Sequence, residues 1–142
     1  MTVASETVVD TNVLIYAHQQ AEPRKRAIAQ ELMARLGRAG TAKLPAQVLA
    51  EFSQVALHRS EPRLDPAAVA IQVERLRAGF DVLPLTAAVV LEALRGVRDH
   101  VMSYFDAQIW AAARLAQATI VYSEDFGNGS TIEGVTFVDP FQ

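Results

Sequence analysis

The sequence predicts an α/β fold in which a mostly parallel sheet of four or five strands is covered by helices on both faces. Short β-branched runs alternate with helical repeats along the whole chain, and no linker, repeat or low-complexity segment interrupts them. The hydrophobic fraction of 51% is sufficient for the core of one domain of 142 residues. We therefore expect a single domain over residues 1–142.

The first half of the chain alternates in this way. A β-branched run at 7–9 predicts a strand, and apolar residues at helical spacing after Asn12 predict a helix. Pro23 suits the first turn of a second helix, which Gly37 and Gly40 end. The same patterns predict a strand at 41–44, a helix ending near His58 and a helix at 66–79.

The second half continues the alternation. A strand-like run at 82–85 precedes a helix that Thr86 caps. A helix at 105–116 carries Asp106 in its first turn, and a buried strand follows at 119–122. A loop rich in glycine at 127–130 leads to the last predicted strand at 135–138.

Composition excludes several classes of function. The net charge of −3 argues against a domain that holds nucleic acid by bulk positive charge. The absence of cysteine excludes disulfides and thiolate zinc sites. Because we find neither a signal sequence near Met1 nor a run of roughly 18 apolar residues, we expect a soluble, cytoplasmic protein without a membrane segment. The basic groups, at 24–26, 35–43, 59–63, 75–77 and 95–98, are most simply solvated helix faces.

Four acidic residues stand out by their positions: Asp10 and Asp125 follow predicted strands, Glu51 lies within a helix, and Asp106 lies at a helix start. Three have ordinary explanations as a helix cap, a turn former and a favourable charge at a helix N-terminus. Glu51 is harder to dismiss, because it adjoins an apolar stripe in which an unpaired carboxylate is costly. Asp10 and Asp125 also share the sheet edge at which parallel α/β sheets bind ligands.

Several carboxylates in one cleft repel each other unless some are protonated or a cation neutralises them. Hard divalent ions, Mg²⁺ or Mn²⁺, prefer oxygen ligands of this kind. A water activated by such an ion suits phosphodiester hydrolysis. Thr11, Asn12 and Ser123 flank the acidic residues and are candidates to orient them.

Other chemistries fit the sequence less well. The three histidines, His18, His58 and His100, lie near the ends of separate helices without metal-ligand spacing, and we expect each at the surface. The glycines follow neither a dinucleotide-binding nor a Walker-type pattern. A haloacid dehalogenase-like hydrolase would need an aspartate where Asn12 stands.

Four blocks of the sequence resemble, in order, the signature blocks of PIN-domain nucleases, and most closely those of the VapC toxins of bacterial toxin–antitoxin pairs. The blocks are VVDTNVL at 8–14, VLAEF at 48–52, SYFDAQI at 103–109 and YSEDF at 122–126. The resemblance spans nearly the full chain and implies a three-layer α/β/α sandwich.

The resemblance also implies a Mg²⁺- or Mn²⁺-dependent endoribonuclease that cleaves structured RNA, such as tRNA or rRNA, forms a homodimer and is inhibited by a VapB-type antitoxin. The residues matching the acidic quartet of the family are Asp10, Glu51, Asp106 and Asp125, and those matching positions that assist it are Thr11, Asn12 and Ser123. We expect Asp125, with Glu124 turned outward to solvent, to serve as the last of the four.

Two questions stay open at this point. Leu14, Ile15 and the stretch 28–36 either form a groove for the antitoxin or belong to the core. A PIN-like module that binds RNA or protein without cutting it, and a nuclease of RNA processing or DNA repair that is no toxin, remain alternatives to the toxin.

Overall fold

A computed structural model describes residues 5–142 of the chain. The first four residues, part of the stretch in which we find no signal sequence, lie outside the described residues. The helices are α1 Thr11–His18, α2 Pro23–Ala39, α3 Ala46–His58, α4 Pro66–Gly79, α5 Ala87–His100 and α6 Tyr104–Leu115. The strands are β1 Thr7–Val9, β2 Ala42–Pro45, β3 Asp81–Leu83, β4 Ile120–Tyr122, β5 Thr131–Ile132 and β6 Val135–Val138.

The strands form one sheet in the order β3-β2-β1-β4-β6-β5. All neighbouring pairs are parallel except β5 and β6, which are antiparallel. Helices α1, α2 and α3 pack together, and α5 packs on α6. The predicted three-layer α/β/α sandwich with a mostly parallel sheet is therefore confirmed.

The helix limits follow the signals in the sequence. Pro23 and Pro66 each occupy a first helical turn. Thr86 caps α5 by accepting a hydrogen bond from the backbone N–H of Val89, and Gly40 ends α2 in the left-handed conformation. These local signals explain why the predicted and observed limits agree closely.

The short strand β5 lies between the predicted loop at 127–130 and the predicted strand at 135–138, and it gives the sheet six strands instead of the four or five expected. It has only two residues and pairs with β6 through a tight turn in which Glu133 and Gly134 both have positive φ angles. Two positive φ angles are typical of the turns that join short hairpins. A strand of two residues is too short to produce a periodic pattern, so the sequence alone does not predict it.

The burial of side chains on α1 and α2 shows which of their apolar residues belong to the core. Leu14, Leu32 and Leu36 are buried core residues, whereas Ile15 and Ile28 are only partly buried. The alternative that these residues belong to the core therefore holds for the three leucines, and only Ile15 and Ile28 are left for a groove. Within residues 5–142, no helix has both the length and the apolar character needed to cross a membrane.

Candidate active site

The pairing of the two central strands brings the ends of β1 and β4 together. Val9 is aligned with Tyr122, and the backbone N–H of Asp10 donates to the carbonyl oxygen of Tyr122 at 3.0 Å. Strands β2 and β3 lie on one side of β1, and β4 and β6 lie on the other, so strand order reverses here. Asp10 and the residues after β4 therefore occupy the edge at which α/β sheets bind ligands.

Asp10 is buried between the first turn of α1 and the end of β4. It caps α1, because its Oδ1 accepts a hydrogen bond from the backbone N–H of Thr11 at 2.7 Å. Its Oδ2 accepts a hydrogen bond from the hydroxyl of Ser123 at 2.8 Å. Both carboxylate oxygens are thus oriented by neighbouring groups, and Ser123 is itself almost fully buried.

Asn12 connects Asp10 to Asp125 through Ser123. Its Nδ2 lies 3.1 Å from the Ser123 Oγ and 3.1 Å from Oδ2 of Asp125. The backbone N–H of Asp125 also donates to the Ser123 Oγ, at 3.1 Å. The hydroxyl of Ser123 therefore donates one hydrogen bond and accepts two, which uses its full capacity.

Glu51 reaches the same cleft from α3. The hydroxyl of Thr11 donates to its Oε2 at 3.0 Å, and the side-chain amide of Gln47 donates to its Oε1 at 2.6 Å. Gln47 lies four residues earlier on the same helix, a spacing at which side chains meet. The predicted residues Thr11, Asn12 and Ser123 thus each bond at least one of the carboxylates Asp10, Glu51 and Asp125.

Asp106 is joined to this group only indirectly. It lies half-buried in the first turn of α6. The amide of Gln47 bridges to the carbonyl oxygen of Phe105, the preceding residue, at 3.2 Å. The buried side chain of Gln108 in turn donates to Oε1 of Gln47 at 2.7 Å. Neither glutamine was among the site residues predicted from the sequence, although the position of Gln47 one turn before Glu51 was a usable signal.

The charges in the cleft alter the ionisation of Asp10. Burial raises the pKa of Asp10 from 3.8 to about 6. The hydrogen bonds from Ser123 and Thr11 oppose this rise in the pKa, and the negative charges of Asp125 and Glu51 add to it. Three of the four predicted carboxylates are therefore close enough to interact electrostatically.

The open part of the cleft has a volume of about 480 Å³ and is lined by Glu51 and Asp125 together with Arg59. Arg59 belongs to one of the basic groups noted in the sequence. Other members of those groups are engaged elsewhere, since Arg77 pairs with Glu74 and Arg95 pairs with Glu92 and Glu133. The structure therefore singles out Arg59 as a basic side chain beside the carboxylates.

The expectation that Glu124 turns outward to solvent is wrong. Its carboxylate accepts a hydrogen bond from the hydroxyl of Tyr16 at 2.7 Å and forms an ion pair with Lys25 at 2.9 Å. Its backbone N–H donates to the Asn12 Oδ1 at 3.3 Å. Attraction to Lys25 on α2 and the hydrogen bond from Tyr16 on α1 therefore hold the half-buried Glu124 side chain against these two helices.

The histidines partly follow expectation. His18 and His58 are exposed, whereas His100 is half-buried. The ring of His100 packs edge-on against that of Trp110, and its Nε2 lies 2.6 Å from Oε2 of Glu133. None of the three lines the carboxylate cleft.

The donor set in the cleft suits a hard divalent cation by its chemistry. The charged oxygen ligands that the cleft offers are carboxylates, and the negative charges of Asp125 and Glu51 add to the effect of burial in raising the pKa of Asp10. Within residues 5–142, however, no three side chains of the ligating types His, Cys, Asp or Glu are already arranged around one ion position. The carboxylates are instead bonded to Thr11, Gln47, Asn12 and Ser123.

Comparisons with known proteins agree with this architecture. The sequence model of the PIN domain matches residues 7–127, which include all four predicted carboxylates. This chain belongs to the PIN domain family. No curated protein sequence matches this PIN domain.

Solved structures share the PIN domain fold of this chain. A toxin-antitoxin complex from Klebsiella pneumoniae gives a TM-score of 0.68 at 16% identity over 95% of this chain and 98% of that chain. VapC20 from Mycobacterium tuberculosis, a sarcin-ricin loop cleaving toxin, gives a TM-score of 0.67 at 22% identity over 90% of this chain and 98% of that chain. The DNA-bound VapBC from Salmonella typhimurium gives a TM-score of 0.67 at 16% identity over 96% of this chain and 99% of that chain.

Proposed function

We propose that this PIN domain is a Mg²⁺- or Mn²⁺-dependent endoribonuclease that acts as a toxin on structured RNA. The observation that carries the proposal is the group of Asp10, Glu51 and Asp125 at the switch edge of the sheet, with the Asp10 pKa raised to about 6. Asp106 would join them as the fourth carboxylate. The chemistry that a bound divalent cation supplies at such a site is activation of water and neutralisation of charge on the phosphate.

The residues of the chain itself have distinct tasks in this proposal. Asp10, Glu51, Asp106 and Asp125 would hold the cation. Asn12 and Ser123 keep Asp10 and Asp125 in a fixed relation, and Thr11 does the same for Glu51. Arg59, at the rim of the cleft, would bind a phosphate of the RNA backbone.

The proposal that the substrate is structured RNA, such as tRNA or rRNA, draws support from the fold. One of the similar structures is described as a toxin that cleaves the sarcin-ricin loop. A chain with a net charge of −3 cannot hold RNA by bulk attraction. Recognition of a particular folded RNA by local contacts fits that charge better than nonspecific binding does.

Cleavage of purified tRNA and rRNA in Mg²⁺ or Mn²⁺ tests the proposal. We expect cuts with 5′-phosphate and 3′-hydroxyl ends, abolished by EDTA and by Asp106→Asn, while Asp81→Asn at the start of β3 keeps activity. Cleavage that survives EDTA, or 2′,3′-cyclic phosphate ends, would contradict the mechanism. RNA binding without cleavage would instead support a PIN module that only binds.

A VapB-type antitoxin partner is part of the proposal, because two of the similar structures are toxin-antitoxin or VapBC assemblies. A basic side chain of the partner would offset the carboxylates of the cleft. Expression of the chain alone is expected to arrest growth, and Asp106→Asn is expected to relieve the arrest. Active RNA cleavage without growth arrest would favour an RNA-processing or repair nuclease.

The proposal also includes a homodimer. Helix α5 exposes Leu91, Leu94 and Val97 at helical spacing, and Val101 follows at its end with an exposed fraction of 91%. Exposed apolar patches of this kind are typical of interaction surfaces. Light scattering is expected to give the mass of a dimer for the wild type and of a monomer for Leu94→Glu.

A further inference from the structure

A second cavity opens beside the carboxylate cleft and shares part of its wall. Ile15 and Val55 line both spaces. Val55 lies one helical turn after Glu51, which corresponds to about 6 Å along the helix axis. The second cavity, which we call the side pocket, therefore lies next to the acidic group.

The side pocket has the size for one small group. Its volume is about 160 Å³, which is below the roughly 300–1,000 Å³ of pockets that bind drug-sized ligands. Phe52, Pro62 and Leu64 supply apolar surface. The ring of His18 stands edge-on to that of Phe52, with centroids 4.9 Å apart.

The side pocket is lined by donors as well as acceptors, but the Gln19 amide already donates to the Ser60 hydroxyl, which itself donates to the carbonyl oxygen of Val55. The Oε1 of Gln72 is buried and has no hydrogen-bond partner among the described residues. The Nδ1 of His18 lies 2.7 Å from the carbonyl oxygen of Leu14, to which it donates a hydrogen bond. Glu61 adds a carboxylate. A ligand with an N–H donor would supply the partner that the Gln72 oxygen lacks.

We propose that the side pocket binds one base of the RNA substrate, next to the phosphate that is cleaved, and prefers a base with an exocyclic amino group. This inference rests on the proposed ribonuclease function and names a base subsite for it. Arg59 lies in the chain between Val55, which lines both cavities, and Ser60, which lines the side pocket. It is therefore placed to hold the intervening backbone phosphate.

A base fits the side pocket better than an apolar side chain of a protein partner does. Proteins read single-stranded RNA by splaying out bases, stacking them on aromatic rings and bonding their edges. An amino group of adenine, cytosine or guanine would donate to the unpaired Gln72 oxygen, whereas a buried acceptor left unpaired is costly. Uracil lacks an exocyclic amino group and would satisfy fewer of the acceptors.

The test measures binding in an Asp10→Asn background, which is expected to hold RNA without cutting it. The probes are fluorescent hexauridylates in which one uridine at a time is replaced by adenosine, cytidine or guanosine. At one position we expect an amino base to lower Kd about tenfold. Adding Gln72→Met is expected to reduce that preference to about twofold or less. The exposed neighbour Ile71→Met introduces the same side chain outside the pocket and is expected to keep the preference.

The outcomes separate this inference from the function on which it rests. If the wild type cleaves no RNA, the ribonuclease proposal is wrong whatever the hexamers show. If it cleaves RNA but no position distinguishes amino bases from uracil, only the base subsite is wrong. Glu61→Gln, at an exposed position, provides a second variant that must also weaken the preference. Loss of antitoxin binding in Gln72→Met with unchanged base preference would assign the pocket to a protein and overturn the inference.

Discussion

Asp10 is a buried carboxyl group whose ionisation opposes folding. Its pKa is about 6 in the folded chain against an ordinary value of 3.8, so the folded state binds the proton more tightly than the unfolded state does. The free energy of unfolding should therefore fall as pH rises from about 4 to about 6 and stay low above that. At neutral pH the accumulated cost is roughly 2–3 kcal/mol.

Asp10→Asn should remove this cost. We expect urea unfolding in EDTA at pH 7 to show the variant to be more stable than the wild type by about 1–3 kcal/mol, with most of the difference gone at pH 4. Asp81→Asn, at an exposed site, is the matched control and should change little. A variant that is less stable at pH 7 would show that the hydrogen bonds of the Asp10 carboxylate outweigh its desolvation.

Gln47 is predicted to be a positioning residue for Glu51. Its amide contacts Glu51 Oε1 and the carbonyl of Phe105, and Gln108 orients it. Loss of such support typically costs a metal site 10–100-fold in affinity or activity. Gln47→Leu is therefore expected to raise the Mg²⁺ concentration needed for half-maximal cleavage by about tenfold or more.

The control for this prediction is Gln30→Leu. It removes a glutamine that donates to the carbonyl of Ala17, outside the cleft. Both variants should lose some stability, but only Gln47→Leu should shift the Mg²⁺ dependence. Equal Mg²⁺ dependence in the two variants would show that Gln47 is merely structural.

At the scale of elements, the close packing of α5 on α6 depends on Gly96. A Cβ atom at this position would lie 2.8 Å from a ring carbon of Trp110, a distance that requires the helix or the ring to move. Trp110 is fully buried, and its indole N–H donates to the carbonyl of Ile132 at 3.1 Å. The Trp110 ring therefore has little room to move away from an added Cβ atom.

Gly96→Ala is expected to lower the free energy of unfolding by about 1–3 kcal/mol, despite the better helix propensity of alanine. Chemical denaturation measures the change. Gly79→Ala provides the comparison, because nothing lies within 4 Å of a Cβ atom built there, and it should be neutral or slightly stabilising. Similar effects of the two substitutions would contradict this account of the α5–α6 contact.

For the whole molecule, the sequence predicted the fold because its signals are local. The strand runs, the prolines at helix starts and the Thr86 cap each act within a few residues. The position of Asp10 and Asp125 at one edge followed from a general rule on strand order. The strand β5 was not predicted, because it has only two residues and forms only by pairing with β6.

The details of the site could not be predicted in the same way, because they depend on contacts between distant parts of the chain. Gln47 contacts Phe105 and Gln108, which are 58 and 61 residues away. Glu124 contacts Tyr16, 108 residues away, and this contact overturned the prediction that it faces solvent. A periodic pattern in the sequence does not predict which side chains contact each other when they are so far apart along the chain.

The central claim is that the carboxylates at this edge of the sheet share a divalent cation. Anomalous scattering from a crystal grown with Mn²⁺ tests it most directly. We predict a strong manganese peak between Asp10 and Asp125, with Glu51 or Asp106 completing the contacts, and no such peak in Asp10→Asn crystals. A wild-type crystal with no peak in the cleft, or with manganese bound only elsewhere, would contradict the account.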